Sequence, residues 1–533
     1  MKLKNIKLHF LILIQILITT LILSACTKKE EEIKSSSENI FQYGMVGDVP
    51  DLDPALATDL NSLYVINDIF EGLVSLDPKT LDPKPAIAEH WEVSKDKRVY
   101  TFHLRKNARF SDGKYITAQD FKDSLLRVLD SKTASPYAYF LFCIKNAKEY
   151  YNNLIANVKL LGIDVKDTNT LVISLTKPIP YFLQLLSFPV FFPVPIEVIN
   201  RHRDRWTNKE NIVTSGPFVI TDRVLNSYIF TKTNNFYWDK ENIKIKGVKY
   251  HTIEDLNTAY KMFLTGKLHK CTMIPQMHVA EAGKLAEFRS APVFSTTFFR
   301  FNTNKKPLNN EKVRRALLLS IDREKLVKYV LRSAQVPAKA VVPPVFRSYK
   351  SQSKSLFRPK EAKVLLEKAG YKNGLNFPKI TISYASQEDK KKILLAIREM
   401  WKNNLNIEVD ILNIERKTFF QNERSLNYDI SFNNWYGDYF DPLSFLEVWK
   451  SDSGNSRTGW KDKRYDEFLL SASEQFNFEV RNHMLMEAEN YLLRSAPIVP
   501  LYHDTKDYLL ATNIKGIYDN PLYYQPVKYI EIQ

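Results

Sequence analysis

Cysteine and glycine are scarce in this chain. Three Cys and 15 Gly occur in 533 residues, so a disulfide-stapled scaffold is excluded and no glycine-rich phosphate cradle is evident. No Gly-x-x-x-x-Gly-Lys-Ser/Thr loop, Gly-x-Ser-x-Gly elbow or His-Glu-x-x-His pair is present, which removes the commonest nucleotide-binding, serine-hydrolase and zinc-protease signatures. A Ser, His, Asp triad assembled from distant positions stays open as an alternative, because geometry and not spacing defines it. After residue 23 no apolar run is long enough to cross a bilayer, which argues against a channel or permease subunit. The expectation is a non-enzyme without cofactor, whose role lies in what it holds.

What is present is ordinary globular material. Hydrophobic residues make up 44% and charged residues 26%, and a prior of about 150 residues per domain suggests roughly three domains. The net charge of +16 could mark an anionic partner, but Lys and Arg are spread along the chain. Clusters such as Lys390-Lys391-Lys392 read as a solvated helix face, so no nucleic acid partner is expected. His269, Cys271 and His278 are the nearest approach to a metal cluster. Their softness suits zinc, copper or nickel, yet the spacing matches no established pattern, and no metal is expected.

The N-terminus carries an address. Lys2, Lys4 and Lys7 precede an apolar run over residues 8–23 that closes on Leu23-Ser24-Ala25-Cys26, the pattern of a cleavable export signal. The small residues before Cys26 look like the lipobox of bacterial lipoproteins, in which that Cys is lipidated and becomes the new N-terminus. A single membrane anchor is the alternative, since the run is close to the lower limit of about 17 residues for a span. Residues 26–39 are polar and low in complexity and read as a flexible tether. Once Cys26 is lipidated, Cys143 and Cys271 remain, and one disulfide is possible.

Beyond the tether the pattern is mixed α/β. Val99-Tyr100-Thr101-Phe102-His103-Leu104 alternates with period two, and residues 171–175, 380–384 and 428–432 read as further strands. Thr117 followed by Asp120 reads as a helix opening with Phe121, Leu125, Val128 and Leu129 at helical spacing. Helices are predicted over 311–319, 359–369 and 389–401. Asp322 reads as an N-cap and Pro359 as a first-turn proline, so neither needs a chemical role.

The concentrated constellation is Asn433-Asn434-Trp435-Tyr436-Gly437-Asp438-Tyr439-Phe440-Asp441-Pro442. Two carboxylates sit there among four aromatics, and burying them is costly unless a cation meets them. The cation is a ligand ammonium or a protein Lys or Arg, and composition alone favours the protein cation.

Several ordered segments together resemble the solute-binding proteins of peptide ABC importers, the oligopeptide-binding protein family. They are Asp51-Leu52-Asp53-Pro54, Ile69-Phe70-Glu71-Gly72-Leu73, Ala88-Glu89-His90-Trp91, residues 100–105, Phe110-Ser111-Asp112-Gly113 and Ser135-Pro136-Tyr137-Ala138, followed by residues 211–216, 313–317, 321–323 and 498–502. The resemblance implies a bilobal periplasmic-binding-protein fold with a hinge, mixed sheets and an extra small domain. It implies a lobe I core from residues 40–70, 196–295 and 506–533, an extra domain over 71–195 and lobe II over 296–505. It further implies short peptides as ligands, an ABC permease as partner, and a monomer anchored by lipid at the cell envelope, outside the cytoplasm.

By the same resemblance Asp438 receives the peptide α-ammonium, Trp435, Tyr436 and Gly437 form the adjacent wall, and Tyr137 points into the cleft. Thr58, Asp59 and Leu60 match a short strand that pairs with the ligand main chain. Departures fall at the other ligand end: Glu423, Phe432 and Leu331 stand where relatives place Arg or Lys, and Arg300 where Glu is common. The opposite changes at Arg300 and Glu423 suggest an ion pair with its partners exchanged. Arg300, Lys390 and Arg332 are the candidate cations for the ligand carboxylate, and His503 and Asp504 fall near the expected cleft. A muropeptide, a nickel or other metal chelate, and an envelope hydrolase are the alternative readings.

Overall fold

The computed structural model describes residues 39–533 apart from 333, 347, 348, 352–355, 386 and 387. The export signal, Cys26 and most of the tether lie outside the described residues. Asn39, assigned to the tether, already belongs to the fold: its side-chain amide donates to the Lys244 carbonyl at 2.8 Å.

Period-two patterning builds the strands. Strand Val99–Leu104 buries alternate residues and pairs antiparallel with Ala88–Val93 and Thr170–Ser174 in a four-stranded sheet. Helix Ala118–Leu129 covers it and opens with a complete capping box from Thr117 and Asp120. Their apolar faces form one core around Phe102, Phe121 and Leu171.

The larger sheet has 11 strands. From one edge run Val409–Ile414, Ile380–Ala385, Ile430–Tyr436, Phe288–Phe301 and Ile498–Leu510; then come Lys270–Cys271, Ile40–Val46, Gly247–Ile253, Tyr228–Thr233 and Phe218–Val224, and the short strand Val336–Pro337 pairs with Ile498–Leu510 off this path. Its centre is the antiparallel pair Phe288–Phe301 and Ile498–Leu510. Their register slips between Pro292 and Thr296 and again between Thr297 and Phe298. A slip of this kind breaks the ladder and bends both strands. The sheet is thereby divided into two halves that head two lobes, joined through this strand pair.

Each half has its own core. Phe41, Val65 and Tyr250 centre one. In the other half, consecutive residues Phe298 and Phe299 point to opposite faces of the sheet. Phe298 packs with Trp449 and Leu485, and Phe299 with Ile382 and Trp401.

Helix Glu311–Leu319 has its expected bounds, and helix Pro359–Lys368 starts on its proline. Asp322 caps by accepting from the Lys325 amide. Two expectations need correcting. Thr58, Asp59 and Leu60 form no strand: Asp59 is the N-cap of helix Leu60–Ile69, accepting from the Ser62 amide, so Leu60 is already helical. The strand expected over 428–432 runs instead from Ile430 to Tyr436. Cys143 and Cys271 are both free thiols. His269, Cys271 and His278 go to separate neighbours: His269 Nδ1 accepts from the Gln42 amide, Cys271 Sγ meets the Met273 carbonyl, and His278 stacks on Tyr260.

Candidate functional site

Strand Ile430–Tyr436 leaves the sheet at Tyr436, and the chain then turns through Gly437 and Asp438. The Gly437 amide donates to the Phe294 carbonyl at 2.9 Å. A Cβ at Gly437 would lie 2.0 Å from a ring carbon of Phe294, so only glycine permits this approach. Ser444 fixes the turn from the other side. Its hydroxyl oxygen accepts from the Asp438 amide at 2.8 Å and its carbonyl from Trp435 Nε1 at 2.9 Å.

The two carboxylates of this segment have opposite fates. Asp441 is matched by Arg481 through paired contacts of 2.7 and 2.8 Å. Asp438 has no cation within ion-pair distance among the described residues. Burial pushes its carboxyl up to about 6, the sign of a charge desolvated without compensation. The preference for a protein cation therefore holds at Asp441 and fails at Asp438.

Tyrosines surround Asp438. The hydroxyls of Tyr137 and Tyr139 are both raised, first by burial and then by the Asp438 charge. Tyr137 packs edge-on against Phe188, with centroids 4.8 Å apart. Tyr439 stacks on Tyr181 at 4.1 Å and donates to Glu447 at 2.8 Å. Burial, and then the nearby Asp438 charge, raise Glu447 to about 7. The pocket thus presents aromatic faces and two carboxyl groups, a setting that favours a cation.

Alternation along strand Ile498–Leu510 assigns the opposite wall. His503 is only 4% exposed, bonded to Thr296 at 2.9 Å, and held neutral by burial, which lowers it to about 3. Its ring is therefore engaged within the strand pair. Asp504 faces the other way, accepts from Ser295 and Thr297, and acts on the hydroxyls of Tyr436 and Tyr502. Lys390 acts on Asp504 in turn and lies 5.8 Å from the Phe432 ring centroid. Two residues beyond Asp504, Lys506 Nζ sits 3.4 Å from the Tyr64 hydroxyl and 3.9 Å above the Tyr523 ring. Burial lowers Lys506 to about 8, and no carboxylate is within ion-pair distance of it among the described residues.

The remaining candidate cations are placed elsewhere. Arg300 is 2% exposed, contacts Glu423 at 2.9 Å and donates to the Asn455 carbonyl, so its charge is spent inside the lobe. Arg332 is exposed and bonds the Tyr329 carbonyl. Phe432 is buried, and Leu331 packs at the edge of the Trp401 core. Tyr64, Tyr139, Glu447 and Lys506 escaped the sequence reading. Lys506 was findable by stepping two residues from Asp504; the other three carried no local signal.

The sequence model of the bacterial extracellular solute-binding proteins, family 5 (middle), matches residues 82–457. The chain belongs to this family. It is 32% identical to the dipeptide-binding protein DppE of Bacillus subtilis, with 96% of each chain covered. Among solved structures, a periplasmic oligopeptide-binding protein of Borrelia burgdorferi matches with a TM-score of 0.78 and 34% identity, over 93% of this chain and 100% of that one. The unliganded open form of the murein tripeptide-binding protein MppA matches with a TM-score of 0.81 and 32% identity, over 93% of this chain and 99% of that one. The bilobal fold of this solute-binding protein is consistent with these relatives.

Proposed function

We propose that this solute-binding protein captures short peptides between its lobes and hands them to the permease of an ABC importer, while lipid on Cys26 holds it at the outer side of a membrane. Asp438 carries the reading: a buried carboxylate with no cation beside it among the described residues, ringed by tyrosines, is suited to the ammonium of a peptide. Trp435, Tyr436 and Gly437 then line one side of the ligand and Tyr137 the other. Asp59 and its neighbours Thr58 and Leu60 would contact it from a helix start. For the ligand carboxylate, Lys506 is better placed than Arg300, whose charge Glu423 already neutralises. Residues 296–505 would close against the remainder, with 71–195 as the extra domain.

Calorimetry with tripeptides to pentapeptides tests this. Free-amine peptides bind, their N-acetylated forms bind much more weakly, and Asp438→Ala abolishes the difference. Equal affinity for acetylated and free peptides contradicts the role of Asp438. The protein acts by binding and release, so a peptide shortened during long incubation would count against the proposal. A second reading, a cell-wall muropeptide, is favoured by the absence of Arg or Lys at 423, 432 and 331 and by the similarity to a murein tripeptide binder. Mass spectrometry of ligand carried through purification separates the two.

A further inference from the structure

A metal-capable cluster lies on the four-stranded sheet. His90 and His103 are direct partners in the antiparallel pair of strands Ala88–Val93 and Val99–Leu104, and Glu92 lies two residues beyond His90 on the same strand. A register irregularity between Ala88 and His90 sets the outward face of the first strand. Trp91 and Val93 turn inward onto the Phe102 core, so His90 and Glu92 project outward. Phe102 and Leu104 are buried, which places His103 on the same outer face.

The three side chains converge. One ligand atom from each lies within 4.8 Å of the others, the imidazoles stack with centroids 4.4 Å apart, and His103 Nε2 is 3.5 Å from a Glu92 oxygen. That His103 nitrogen is buried and has no hydrogen-bond partner. Leaving a buried polar atom unsatisfied is destabilising, and two stacked imidazoles repel if both are protonated. A bound cation removes both penalties.

We propose that His90, Glu92 and His103 form a divalent transition-metal site on the outer face of this sheet, independent of the peptide cleft. Two imidazole nitrogens and one carboxylate oxygen form a borderline donor set that selects Zn²⁺, Ni²⁺ or Cu²⁺ over Ca²⁺ and Mg²⁺. Bonds of about 2.0–2.2 Å require the three donors to draw together from their present spacing, which the exposed His90 and Glu92 side chains can do by rotation. Three protein ligands leave a coordination position open. It faces a groove of about 820 Å³. His90, His103, Glu89 and Asp167 line that groove together with Arg105 and Lys106, so its charge is mixed. Arg105 is engaged elsewhere, over the Trp238 ring and on the Ala86 carbonyl.

The test uses the mature chain without a polyhistidine tag, freed of metal by chelator and titrated with ZnCl₂ and with NiCl₂ in a calorimeter. Saturable binding of a single equivalent is expected. Losing an outer-shell partner costs about 10- to 100-fold in metal affinity, so His90→Gln, His103→Gln and Glu92→Gln, which remove direct ligands, should each weaken binding by at least that much. His278→Gln should not. Peptide affinity should be unchanged in all four variants, since none touches the Asp438 pocket. X-ray absorption on the zinc form should show two imidazoles in the coordination shell. No saturable binding to the unmutated chain, or binding undiminished by His103→Gln, overturns the assignment.

Discussion

Asp438 and Asp441 are three positions apart and obey the same electrostatics with opposite results. Arg481 compensates Asp441, whereas burial leaves Asp438 with its carboxyl raised to about 6. A native-state value above the unfolded one means that the folded protein binds the proton more readily. The cost of the buried charge is therefore full above pH about 6 and disappears as pH falls below the ordinary carboxylate range. Asp438→Asn removes that cost, so the ligand-free variant should be more stable at pH 7 by about 1–3 kcal/mol, while losing free-amine peptides. Chemical denaturation with and without peptide checks both halves. Peptide affinity follows the ionised form and should be about tenfold weaker at pH 5 than at pH 7.5, a difference that calorimetry reads directly and that Asp438→Asn should erase. Arg300 shows the opposite arrangement, since it and Arg457 converge on the buried Glu423. Arg300→Ala leaves that carboxylate with Arg457 as its remaining cation and should cost about 1–3 kcal/mol in urea unfolding, and adding Arg457→Ala, which leaves the buried charge uncompensated, should raise the loss to about 3–5 kcal/mol.

At the scale of elements, local signals were legible and tertiary ones were not. The Thr117 capping box and helix Glu311–Leu319 are written in neighbouring residues and fold as read. Asn433 and Asn434 resemble turn residues, yet both lie in strand Ile430–Tyr436, because Asn433 donates to the distant Glu423 and the strand pairs with Phe288–Phe301. Asp59 differs for another reason: its strand was implied by the family resemblance and not by local residues, and an extended residue before a helix is also how an N-cap looks. The Asp438 turn was visible as a cluster of aromatics and carboxylates, but which carboxylate is free depends on Arg481, 40 residues away. Tyr64 and Lys506 meet because helix Leu60–Ile69 lies beside strand Ile498–Leu510, two elements far apart in sequence. Gly437 tests the element that carries the site. Gly437→Ala forces its new Cβ against Phe294, so it should weaken peptide binding while leaving the secondary structure seen by circular dichroism intact. Unchanged affinity would mean that the turn does not position Asp438.

The lobes meet where the central strands lose register, and Phe294 lies in that gap. Its amide donates to the Pro521 carbonyl at 2.8 Å and its carbonyl accepts from Gly437, so one residue bonds both the C-terminal segment and the Asp438 turn. With the ligand ammonium at Asp438, as proposed, the turn that holds it would be tied through Phe294 to the C-terminal segment. Closure stabilised by ligand needs contacts made by both sides. The stack of Tyr181 on Tyr439 is one such contact, and Lys177 Nζ at 3.4 Å from the Ser473 hydroxyl is another. Tyr439 follows Asp438 directly in the chain, so the substitution that probes closure is made at Tyr181, on the facing side of the stack. An aromatic pair contributes about 0.5–1.5 kcal/mol beyond burial, so Tyr181→Ala should lower peptide affinity by about 2- to 10-fold and act mainly on the dissociation rate. In small-angle scattering, saturating peptide should contract the unmutated protein and contract Tyr181→Ala less. If Tyr181→Ala binds peptide with unchanged affinity and dissociation rate, the stack plays no part in closure, and the hinge strands and the ligand alone must supply it.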